Sequence, residues 1–492
     1  MSLDLEPTLL ALWITGILVA IDFTVRVLAV IYVPRNRRPQ TAMAWLLAIF
    51  FLPYLGIILF LIFGSRHLPK ARRDKQDEIN QYILDTTEGM DQLTHEDPWP
   101  GWLEPIAELN RNLGAMPLVG GNDAQLFSDY SESLQAMTDA IGGARKYVHC
   151  EFYIMSLDTT TAPFFDALEA AVARGVTVRV LLDHVASFRS PGYRRTIRRL
   201  KSMGVQWQLM LPFQPLRGRF QRIDLRNHRK LLVIDGLVAF TGSQNIIDST
   251  YNKRSNLRRG LHWKDLMVRF EGPIVAGINA LFVTDWYSET NELLTREAAP
   301  VRNANRVRNR VAAQVVPSGP SFEGENNLRL FNSLLYAAQE RVMICSPYFV
   351  PDESMLYAIT TAAQSGIDVQ LFVSEVGDQP LVYHAQRIYY EVLLKAGVRI
   401  WLYREPTVLH PKHVTIDDQV AVIGSSNMDM RSFSLNLEIS VMVRGHGFVR
   451  ELRQIEEGYR AHSRELVLEE WLQRQVFSQV LDNVARLSAA VQ

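Results

Sequence analysis

Two stretches of the chain decide the fold: HRKLLVIDGLVAFTGSQN, from His228 to Asn245, and HPKHVTIDDQVAVIGSSN, from His410 to Asn427. Each stretch reads His-x-Lys, four residues, Asp, six residues and then Gly-Ser-x-Asn, and each residue of this pattern recurs 182 positions later. One such copy can arise by chance. Two copies with the same internal spacing indicate a duplicated unit that carries chemistry.

The chain around both motifs alternates strand-like and helix-like runs, which predicts an α/β architecture. Upstream of the motifs, Gly204 and Gly397 open similar runs and are 193 positions apart, so the first half carries an insertion of 11 residues before His228. We expect two similar α/β sandwich halves related by a pseudo-twofold axis, with their matching loops at a single site. The main strand-like runs are Tyr147 to Met155, Val176 to Asp183, Lys230 to Asp235, Arg341 to Val350 and Lys412 to Asp417.

The residue types in the motif fit phosphodiester chemistry. Histidine gains and loses a proton near neutral pH, so it can act as a nucleophile, an acid or a base. Lysine offers a compact positive charge and N–H donors to a phosphate oxygen. A Gly-Ser turn can present a hydroxyl and backbone N–H groups. Two such sets facing each other would form a cradle for one phosphodiester, in which one histidine attacks phosphorus and the other protonates the leaving alkoxide.

The paired motifs resemble the HKD motifs of the phospholipase D superfamily, and the resemblance covers most of the chain from about residue 120 onward. It implies catalytic roles for the histidines and lysines and a mainly structural role for the motif aspartates. These residues are His228, Lys230, Asp235, His410, Lys412 and Asp417. The motif does not fit a metal site, because a protonated lysine cannot ligate a metal and no second His or Cys recurs beside the motif in both copies.

Further polar residues near the motifs fit a role in binding phosphate or in supporting the histidines. They are Ser243, Asn245, Ser425, Asn427, Asp265 and Glu438. Glu438 belongs to an Arg-Ser-x-x-x-Asn-x-Glu tail that is typical of the family, in which this glutamate helps to orient a catalytic histidine. Asp265 lies seven residues before Gly272 and Glu438 lies seven residues before Gly445, so we infer that Asp265 is the counterpart of Glu438.

Residues 1–65 predict a membrane anchor, because they hold two long apolar runs. The first run ends at Val33 and is long enough to cross a bilayer, and Asp22 and Arg26 can pair on one face of its helix. The second run, from Ala42 to Gly64, has no charged residue, and Pro53 can kink it or turn it into a re-entrant hairpin. An interfacial helix stays open for the first run, whereas its length and the acidic amino end argue against a cleaved signal peptide.

Two spans would place the amino end and the large domain on the same side of the membrane. Three basic residues lie between the runs, and five follow the second run. They are Arg35, Arg37 and Arg38, followed by Arg66, Lys70, Arg72, Arg73 and Lys75. By the positive-inside rule this bias predicts a multi-pass membrane protein with a cytoplasmic catalytic domain.

The membrane anchor narrows the resemblance within the superfamily. Two amino-terminal hydrophobic segments, a linker and paired motifs look like a bacterial cardiolipin synthase, and the stretches AWLLAIFFLPYLGIILFLIFG, NHRKLLVIDG and HWKDLMVRFEGP resemble parts of that family. This resemblance implies transfer of a phosphatidyl group from one phosphatidylglycerol to the hydroxyl of another, with release of glycerol. It further implies a phosphohistidine intermediate on His228 and no metal, nucleotide or other cofactor.

Two other classes of function stay open. A phospholipase D that hydrolyses phospholipids to phosphatidic acid would bind phosphate with the same residues and use water as acceptor. A non-lipid, nuclease-like phosphodiesterase or a non-catalytic member is the other class, although the intact His-Lys pairs and the apolar segments argue against it. The chain has 52 Lys+Arg and 52 Asp+Glu, a balance that argues against a nucleic-acid partner. A homo-oligomer stays open.

We predict four segments: a membrane anchor over 1–65, a linker over 66–115, a first half over 116–300, and a second half with carboxy-terminal helices over 301–492. Basic and apolar residues interleave from Leu211 to Asn227, which fits an anionic lipid surface or an ordinary packed loop. Cys150 and Cys345 lie in apolar runs and are predicted to be buried thiols. The polar residues near motifs or strand ends that we interpret as structural are Asp183, His262, Asp378 and His413.

Overall fold

The structure is a computed structural model that describes residues 5–35, 37, 39–65, 67–87, 100–214, 216, 219–294, 310–474, 479–482 and 485. It divides into two compact units, Met1–Arg66 and His67–Gln492. Several predicted features lie outside the described residues: Arg38, Arg66, part of the linker, the boundary at residue 300 and much of the carboxy-terminal stretch. The limits of the four predicted segments therefore stay predictions.

The first unit contains three apolar helices: α1 (Leu5–Tyr32), α2 (Pro39–Phe51) and α3 (Pro53–Phe63). Among the described residues, α1 alone is long and apolar enough to cross a membrane, over Leu9–Tyr32. The second apolar run is two helices because it breaks at Leu52, where φ is −133° and ψ is 69°. Pro53 disfavours the helical conformation at the residue before it and has no N–H to continue the helix.

The second unit is an α/β body. Its helices are α4 (Lys70–Thr86), α5 (Leu103–Gly114), α6 (Tyr130–Gly142), α7 (Ala162–Ala173), α8 (His184–Arg189), α9 (Tyr193–Ser202), α10 (Arg254–Arg259), α11 (Ile274–Thr290), α12 (Asn326–Ala337), α13 (Glu353–Gln364), α14 (Pro380–Arg387), α15 (Tyr390–Lys395), α16 (Met430–Ser434), α17 (His446–Ala461) and α18 (Leu468–Leu472).

Its strands in the first half of the sequence are β1 (Leu118–Phe127), β2 (Tyr147–Phe152), β3 (Thr177–Asp183), β4 (Gln206–Met210), β5 (Phe213–Gln214), β6 (Arg219–Phe220), β7 (Arg226–Asn227), β8 (Lys230–Ile234), β9 (Val238–Gly242), β10 (His262–Lys264) and β11 (Met267–Glu271). Those in the second half are β12 (Arg310–Ser318), β13 (Arg341–Cys345), β14 (Phe349–Val350), β15 (Asp368–Ser374), β16 (Arg399–Tyr403), β17 (Thr407–Leu409), β18 (His413–Ile416), β19 (Val420–Gly424), β20 (Met428–Asp429), β21 (Asn436–Arg444) and β22 (Ser463–Leu466).

In the described residues, sixteen strands form one sheet in the order β22-β16-β15-β13-β18-β19-β21-β12-β1-β11-β9-β8-β2-β3-β4, with β7 beside β21. Strands β1 and β12 pair antiparallel at its centre. Outward from this pair, the first half runs β1, β11, β9, β8, β2, β3, β4, and the second half runs β12, β21, β19, β18, β13, β15, β16. Equivalent strands occupy equivalent places, so the predicted duplication with a pseudo-twofold axis is confirmed.

Apolar cores cover both faces of the sheet, which explains the nearly continuous apolar runs of its strands. In β3, Leu181 packs into a core that includes residues of α11 and α17. Its neighbours Val180 and Leu182 point to the other face, into a core with residues of α6 and α7. Cys150 and Cys345 are buried free thiols, as predicted. Because the first of these cores contains residues of both halves, the sheet holds the two motifs in one rigid frame.

Candidate active site

The two motif histidines lie at equivalent strand junctions near the centre of the sheet. His228 lies between β7 and β8, and His410 lies between β17 and β18. Each is bonded through its backbone to the opposite half: the His228 N–H donates to the Leu437 carbonyl at 2.9 Å, and the His410 N–H donates to the Lys264 carbonyl at 2.8 Å. The short parallel pairs β7–β21 and β10–β17 extend both links. The two halves therefore meet at the motif histidines.

Each histidine ring binds a carboxylate of the opposite half. Nδ1 of His228 lies 3.0 Å from both carboxylate oxygens of Glu438. Nδ1 of His410 lies 2.6 Å from Oδ1 of Asp265. Both carboxylate side chains are 0% exposed. A carboxylate that accepts the Nδ1 proton fixes the tautomer and leaves Nε2 as the atom that can attack phosphorus or transfer a proton.

The motif serines hold these carboxylates in place. Oγ of Ser243 donates to Oδ1 of Asp265 at 2.6 Å, and Oγ of Ser425 donates to Glu438. Each hydroxyl also accepts the backbone N–H of the residue that follows its carboxylate, at 2.9 and 3.0 Å. In the described contacts the serines therefore orient the carboxylates, the supporting one of the two roles predicted for them.

The motif glycines allow this close approach. A Cβ at Gly242 would collide with the Leu266 carbonyl, and a Cβ at Gly424 would collide with the Ile439 carbonyl. Gly242 also has a φ of 153°, a conformation that favours glycine. The Gly-Ser step of each motif thus brings the serine beside the chain segment that carries the carboxylate.

The motif lysines give the site its positive charge. Nζ of Lys230 donates to the His228 carbonyl at 2.6 Å, and Nζ of Lys412 donates to the His410 carbonyl at 2.7 Å. Burial, together with the charge of Lys412, lowers the pKa of Lys230 to about 7. Burial lowers the pKa of Lys412 to about 8. Two buried ammonium groups that repel each other favour an anion between them, because its charge would offset both effects.

The protonation of the histidines follows from the same burial. Burial and the nearby lysines lower the pKa of His228 well below its usual value, and burial and Lys412 lower the pKa of His410 to about 4. These shifts keep both rings neutral near pH 7. A neutral imidazole has a lone pair on one ring nitrogen, as nucleophilic attack requires.

The two carboxylates differ in their proton affinity. Burial raises the pKa of Glu438 to about 7, although Lys230 opposes the shift. Burial also acts to raise the pKa of Asp265, but the neighbouring His410 and other partners outweigh it, and that pKa is lowered overall. Asp265 thus stays ionised near neutral pH, whereas Glu438 exchanges a proton there. The pseudo-twofold axis relates the positions of the two pairs but not their electrostatics.

The motif aspartates bind backbone rather than facing the histidines. The Asp235 carboxylate accepts the N–H groups of residues 145, 146 and 147 at 2.8, 2.7 and 2.9 Å. The Asp417 carboxylate accepts those of residues 339, 340 and 341 at 3.1, 2.8 and 2.9 Å. Each aspartate has a positive φ, 55° and 49°, in the turn after β8 or β18. These contacts support the structural role that the family resemblance implies.

The motif asparagines are part of the frame around the site. Oδ1 of Asn245 accepts the Ile154 N–H at 3.1 Å, and its Nδ2 donates to the Tyr251 hydroxyl at 2.8 Å. The Asn427 N–H donates to Oγ of Ser432 at 3.2 Å. The hydrogen bonds described for Asn245 engage its side chain with protein groups, so a direct bond to phosphate stays a prediction.

Tyr153 also lies at the site, although it was not among the predicted site residues. Its ring meets the His228 ring edge-on, with centroids 4.8 Å apart, and Nζ of Lys230 lies 5.3 Å from the Tyr153 centroid. Tyr153 follows β2, the neighbour of the motif strand β8, and it lies within the predicted strand-like run Tyr147 to Met155, which was the available signal. It extends the site on the side of the first motif.

Four other polar residues have protein partners consistent with the structural interpretation. Asp183 accepts the Ala186 and Asn227 N–H groups, each at 2.9 Å. The remaining three contacts are Asp378 with the Tyr348 hydroxyl at 2.9 Å, His413 with Glu456 at 3.2 Å and His262 with the Thr407 hydroxyl at 2.8 Å.

Comparisons with known proteins agree with this geometry. A family model described as "Cardiolipin synthase, PLD-like domain" matches residues 137–271 and 331–458, so both motifs fall inside matched regions. A second model, "Phospholipase_D-nuclease N-terminal", matches residues 25–65. The two PLD-like matches correspond to the two halves of the sheet.

Curated relatives extend the similarity over nearly the whole chain. Cardiolipin synthase A of Proteus mirabilis (strain HI4320) is 33% identical over 460 residues, covering 91% of this chain and 92% of that protein. Cardiolipin synthase A of Yersinia pseudotuberculosis serotype O:1b (strain IP 31758) is 34% identical over 460 residues, covering 92% of each chain.

A solved structure supports the fold. Phosphatidylserine synthase of Haemophilus influenzae Rd KW20 superimposes with a TM-score of 0.59 at 14% identity, covering 79% of this chain and all of that one. The family model and the curated relatives show that the chain belongs to the cardiolipin synthase family of phospholipase D-like proteins.

Proposed function

We propose that this protein is a phosphatidyltransferase that forms cardiolipin from two molecules of phosphatidylglycerol and releases glycerol. The observation that carries the proposal is the crossed pairing of His228 with Glu438 and of His410 with Asp265. It builds two oriented imidazoles from both halves of the chain, as a two-step transfer through one covalent intermediate requires. The curated relatives support the lipid product.

In the first step, Nε2 of His228 attacks phosphorus of one phosphatidylglycerol. The bond from phosphorus to the headgroup glycerol oxygen breaks, and protonated His410 gives its proton to that oxygen, so glycerol leaves. A bound phosphodiester anion favours the protonated state of His410, which burial otherwise disfavours. In the second step, His410 takes the proton of the acceptor's glycerol hydroxyl, and that oxygen displaces His228 from phosphorus. One phosphodiester is exchanged for another.

The lysines act on the transferred phosphoryl group. Lys230 and Lys412 each lie two residues after a motif histidine, and each influences the electrostatics of the same buried cluster. We propose that their ammonium groups turn from the histidine carbonyls towards the phosphate oxygens as substrate binds. Charge that grows on those oxygens in the transition state is then offset within a water-poor site.

Membrane association of the protein follows from its family and from the apolar helix α1. We propose the bacterial plasma membrane as its location, with a catalytic unit on the cytoplasmic side. The multi-pass topology predicted from the sequence stays a prediction. The arrangement of α2 and α3 favours a different membrane topology.

The test is to incubate the purified protein in detergent with phosphatidylglycerol alone, with a chelator and without nucleotide, and to identify the products by mass spectrometry. Cardiolipin and glycerol in equal amounts are expected, and the His228→Ala variant is the inactive control. Phosphatidic acid without cardiolipin would mean that water is the acceptor and would overturn the transferase proposal. No product from folded protein would exclude phosphatidylglycerol as sole substrate.

A further inference from the structure

The second apolar segment returns to the point where it starts. Arg37 precedes α2, and its Nε donates to the carbonyl of Gly64, the residue after α3, at 3.1 Å. In one straight helix these two residues would be about 40 Å apart, at roughly 1.5 Å per residue. An arginine side chain cannot bridge that distance, so α2 and α3 must fold back on each other.

Contacts along the two helices show the same arrangement. The Trp45 ring of α2 meets the Phe60 ring of α3 edge-on, with centroids 5.6 Å apart. Nearer the turn, a Cβ at Gly56 would lie 2.8 Å from the Cα of Ile49, so only glycine allows this approach. Both contacts join residues on opposite sides of Leu52. The two helices therefore form a hairpin with its turn at Leu52.

The open end of this hairpin lies beside the carboxyl end of α1. Nη1 of Arg37 donates to the Val33 carbonyl at 2.7 Å, and its guanidinium lies 4.7 Å from the Phe60 ring centroid. One guanidinium thus connects the end of α1, the start of α2 and the end of α3. These three points belong to the same side of the first unit.

The turn of the hairpin reaches only part of the way along α1. The Arg26 guanidinium of α1 lies 5.4 Å from the ring centroid of Phe50, near the end of α2. Arg26 pairs with Asp22 at 2.8 Å and lies six residues before the end of the apolar window Leu9–Tyr32. With 13 and 11 residues, α2 and α3 are about 20 and 16 Å long, less than the roughly 30 Å of a hydrocarbon core.

Two backbone N–H groups at the turn are hydrogen-bonded within the segment, which a lipid environment favours. The Leu52 N–H donates to the Ala48 carbonyl at 2.9 Å, and the Gly56 N–H donates to the Leu52 carbonyl at 2.6 Å. Pro53 has no N–H to satisfy. Phe51 is 80% exposed beside the turn, an apolar side chain that lipid would cover.

We propose that α1 alone crosses the membrane, and that α2 and α3 form a re-entrant hairpin that enters one leaflet and returns to the face where α1 ends. The amino end then lies on the opposite face from the chain that leaves the hairpin after Gly64. This inference concerns the membrane anchor and is independent of the proposed reaction.

The distribution of basic residues supports this topology independently. Residues 1–25 contain no Lys or Arg. A re-entrant hairpin places both basic clusters, residues 35–38 and residues 66–75, on the same face, eight positive charges in all. Two spans would instead divide them three against five. By the positive-inside rule the one-sided distribution assigns the charged face, and the catalytic unit that follows it, to the cytoplasm.

Introduced cysteines can test the topology, because the two native cysteines are buried. Four variants each carry one new cysteine: Glu6→Cys, Arg35→Cys, Phe51→Cys and Ser65→Cys. A membrane-impermeant maleimide is applied to intact spheroplasts and to inverted vesicles. The unsubstituted protein gives the background, and labelling after detergent and denaturant shows that each cysteine can react. Gln40→Cys replaces Arg35→Cys if that variant fails to fold.

We expect residues 35 and 65 to be labelled from the same face, residue 6 from the opposite face, and residue 51 from neither. Labelling of residues 35 and 65 from opposite faces would establish two spans and overturn the proposal. Labelling of residue 6 from the same face as both would show that α1 does not cross the membrane, which would also overturn it. Neither outcome depends on enzymatic activity.

Discussion

Each motif histidine depends on the half of the chain that does not carry it. Because His228 is proposed as the nucleophile and His410 as the acid and base, we expect His228→Ala and His410→Ala each to lower kcat at least about a thousandfold. Both proteins should keep their circular dichroism spectra. His462→Ala, at an exposed position of the second unit, is the matched control. Near-normal turnover by either motif variant would exclude a shared site.

The carboxylates are positioning residues in this scheme, since they act on phosphorus only through a histidine. Glu438→Gln and Asp265→Asn should each lower kcat by roughly 10²–10⁴-fold with little change in KM, because an amide can hold the wrong tautomer of its imidazole. Steady-state kinetics on mixed micelles measures kcat and KM separately and so distinguishes these effects. An increase in KM with unchanged kcat would instead indicate a role in binding lipid.

The lysines predict an alkaline limit to activity. A lysine donates to phosphate oxygens only while protonated, and the pKa values of Lys230 and Lys412 are about 7 and about 8, below the ordinary 10.5. As pH rises through these values the charges are lost, so kcat/KM should fall between about pH 7 and 9. Bound phosphate raises both pKa values, so the fall in kcat should come at higher pH.

Lys230→Arg provides the control for this pH dependence, because a guanidinium stays charged over the whole range. In this variant the fall of kcat/KM that begins near pH 7 should disappear, whatever the absolute rate of the variant. If kcat/KM falls at the same pH in Lys230→Arg and in the parent, a group other than Lys230 causes the fall.

At the scale of single residues, the sequence predicted both histidines and both carboxylates of the site. It did not predict which carboxylate binds which histidine. Spacing relates Asp265 to Glu438 within the duplication, yet it cannot show that each serves the histidine of the other copy. That pairing arises from the long-range contacts of β7 with β21 and of β10 with β17. Tyr153 was missed because its contact with His228 also joins two residues that are distant in sequence, beside the paired strands β2 and β8.

At the scale of elements, the motif aspartates hold the β8–β9 and β18–β19 turns to neighbouring strands. Asp235→Asn and Asp417→Asn keep a residue that tolerates positive φ but remove the charge that several N–H groups share. Each should lower the free energy of unfolding by roughly 1–3 kcal/mol while leaving kcat per folded molecule within a few-fold. Thermal unfolding in detergent measures the first quantity.

Asp418→Asn is the control for this comparison, because its side chain is 81% exposed beside Asp417. It should change stability little. A large loss of kcat in stable Asp235→Asn or Asp417→Asn protein would contradict the structural role of the motif aspartates.

Periodicity predicted most strands of the second unit, and prolines explain why two runs of the chain are divided. The run from Arg341 to Val350 is two strands, β13 and β14, and Pro347 lies in the gap between them. The apolar run from Ala42 to Gly64 is likewise divided at Pro53. Composition alone measures how apolar a segment is, whereas the direction of the chain after a proline depends on contacts such as that of Arg37 with Gly64.

At the scale of the whole molecule, both motif histidines belong to one chain and lie beside strands of one continuous sheet. A mixture of His228→Ala and His410→Ala proteins should therefore remain inactive, because no molecule in it has a complete site. The assay is cardiolipin formation by the coexpressed pair, with parent and single variants as controls. Recovery of a substantial fraction of parent activity would mean that sites form between chains.

The duplication could be predicted from two motifs 182 positions apart, but the single sheet could not. Antiparallel pairing of β1 with β12 joins the halves edge to edge, and no local pattern specifies which strands lie at that join. The consequence is functional, since the join brings each histidine to the carboxylate of the other half.

The most direct test of the shared site is to trap the intermediate. Phosphatidylglycerol labelled in its phosphate is mixed with the enzyme, the reaction is stopped in alkali, and the phosphorylated peptide is identified by mass spectrometry. We expect an acid-labile, alkali-stable label on His228 that is absent from His228→Ala. Turnover to cardiolipin with no label on either motif histidine would contradict a covalent transfer at this site.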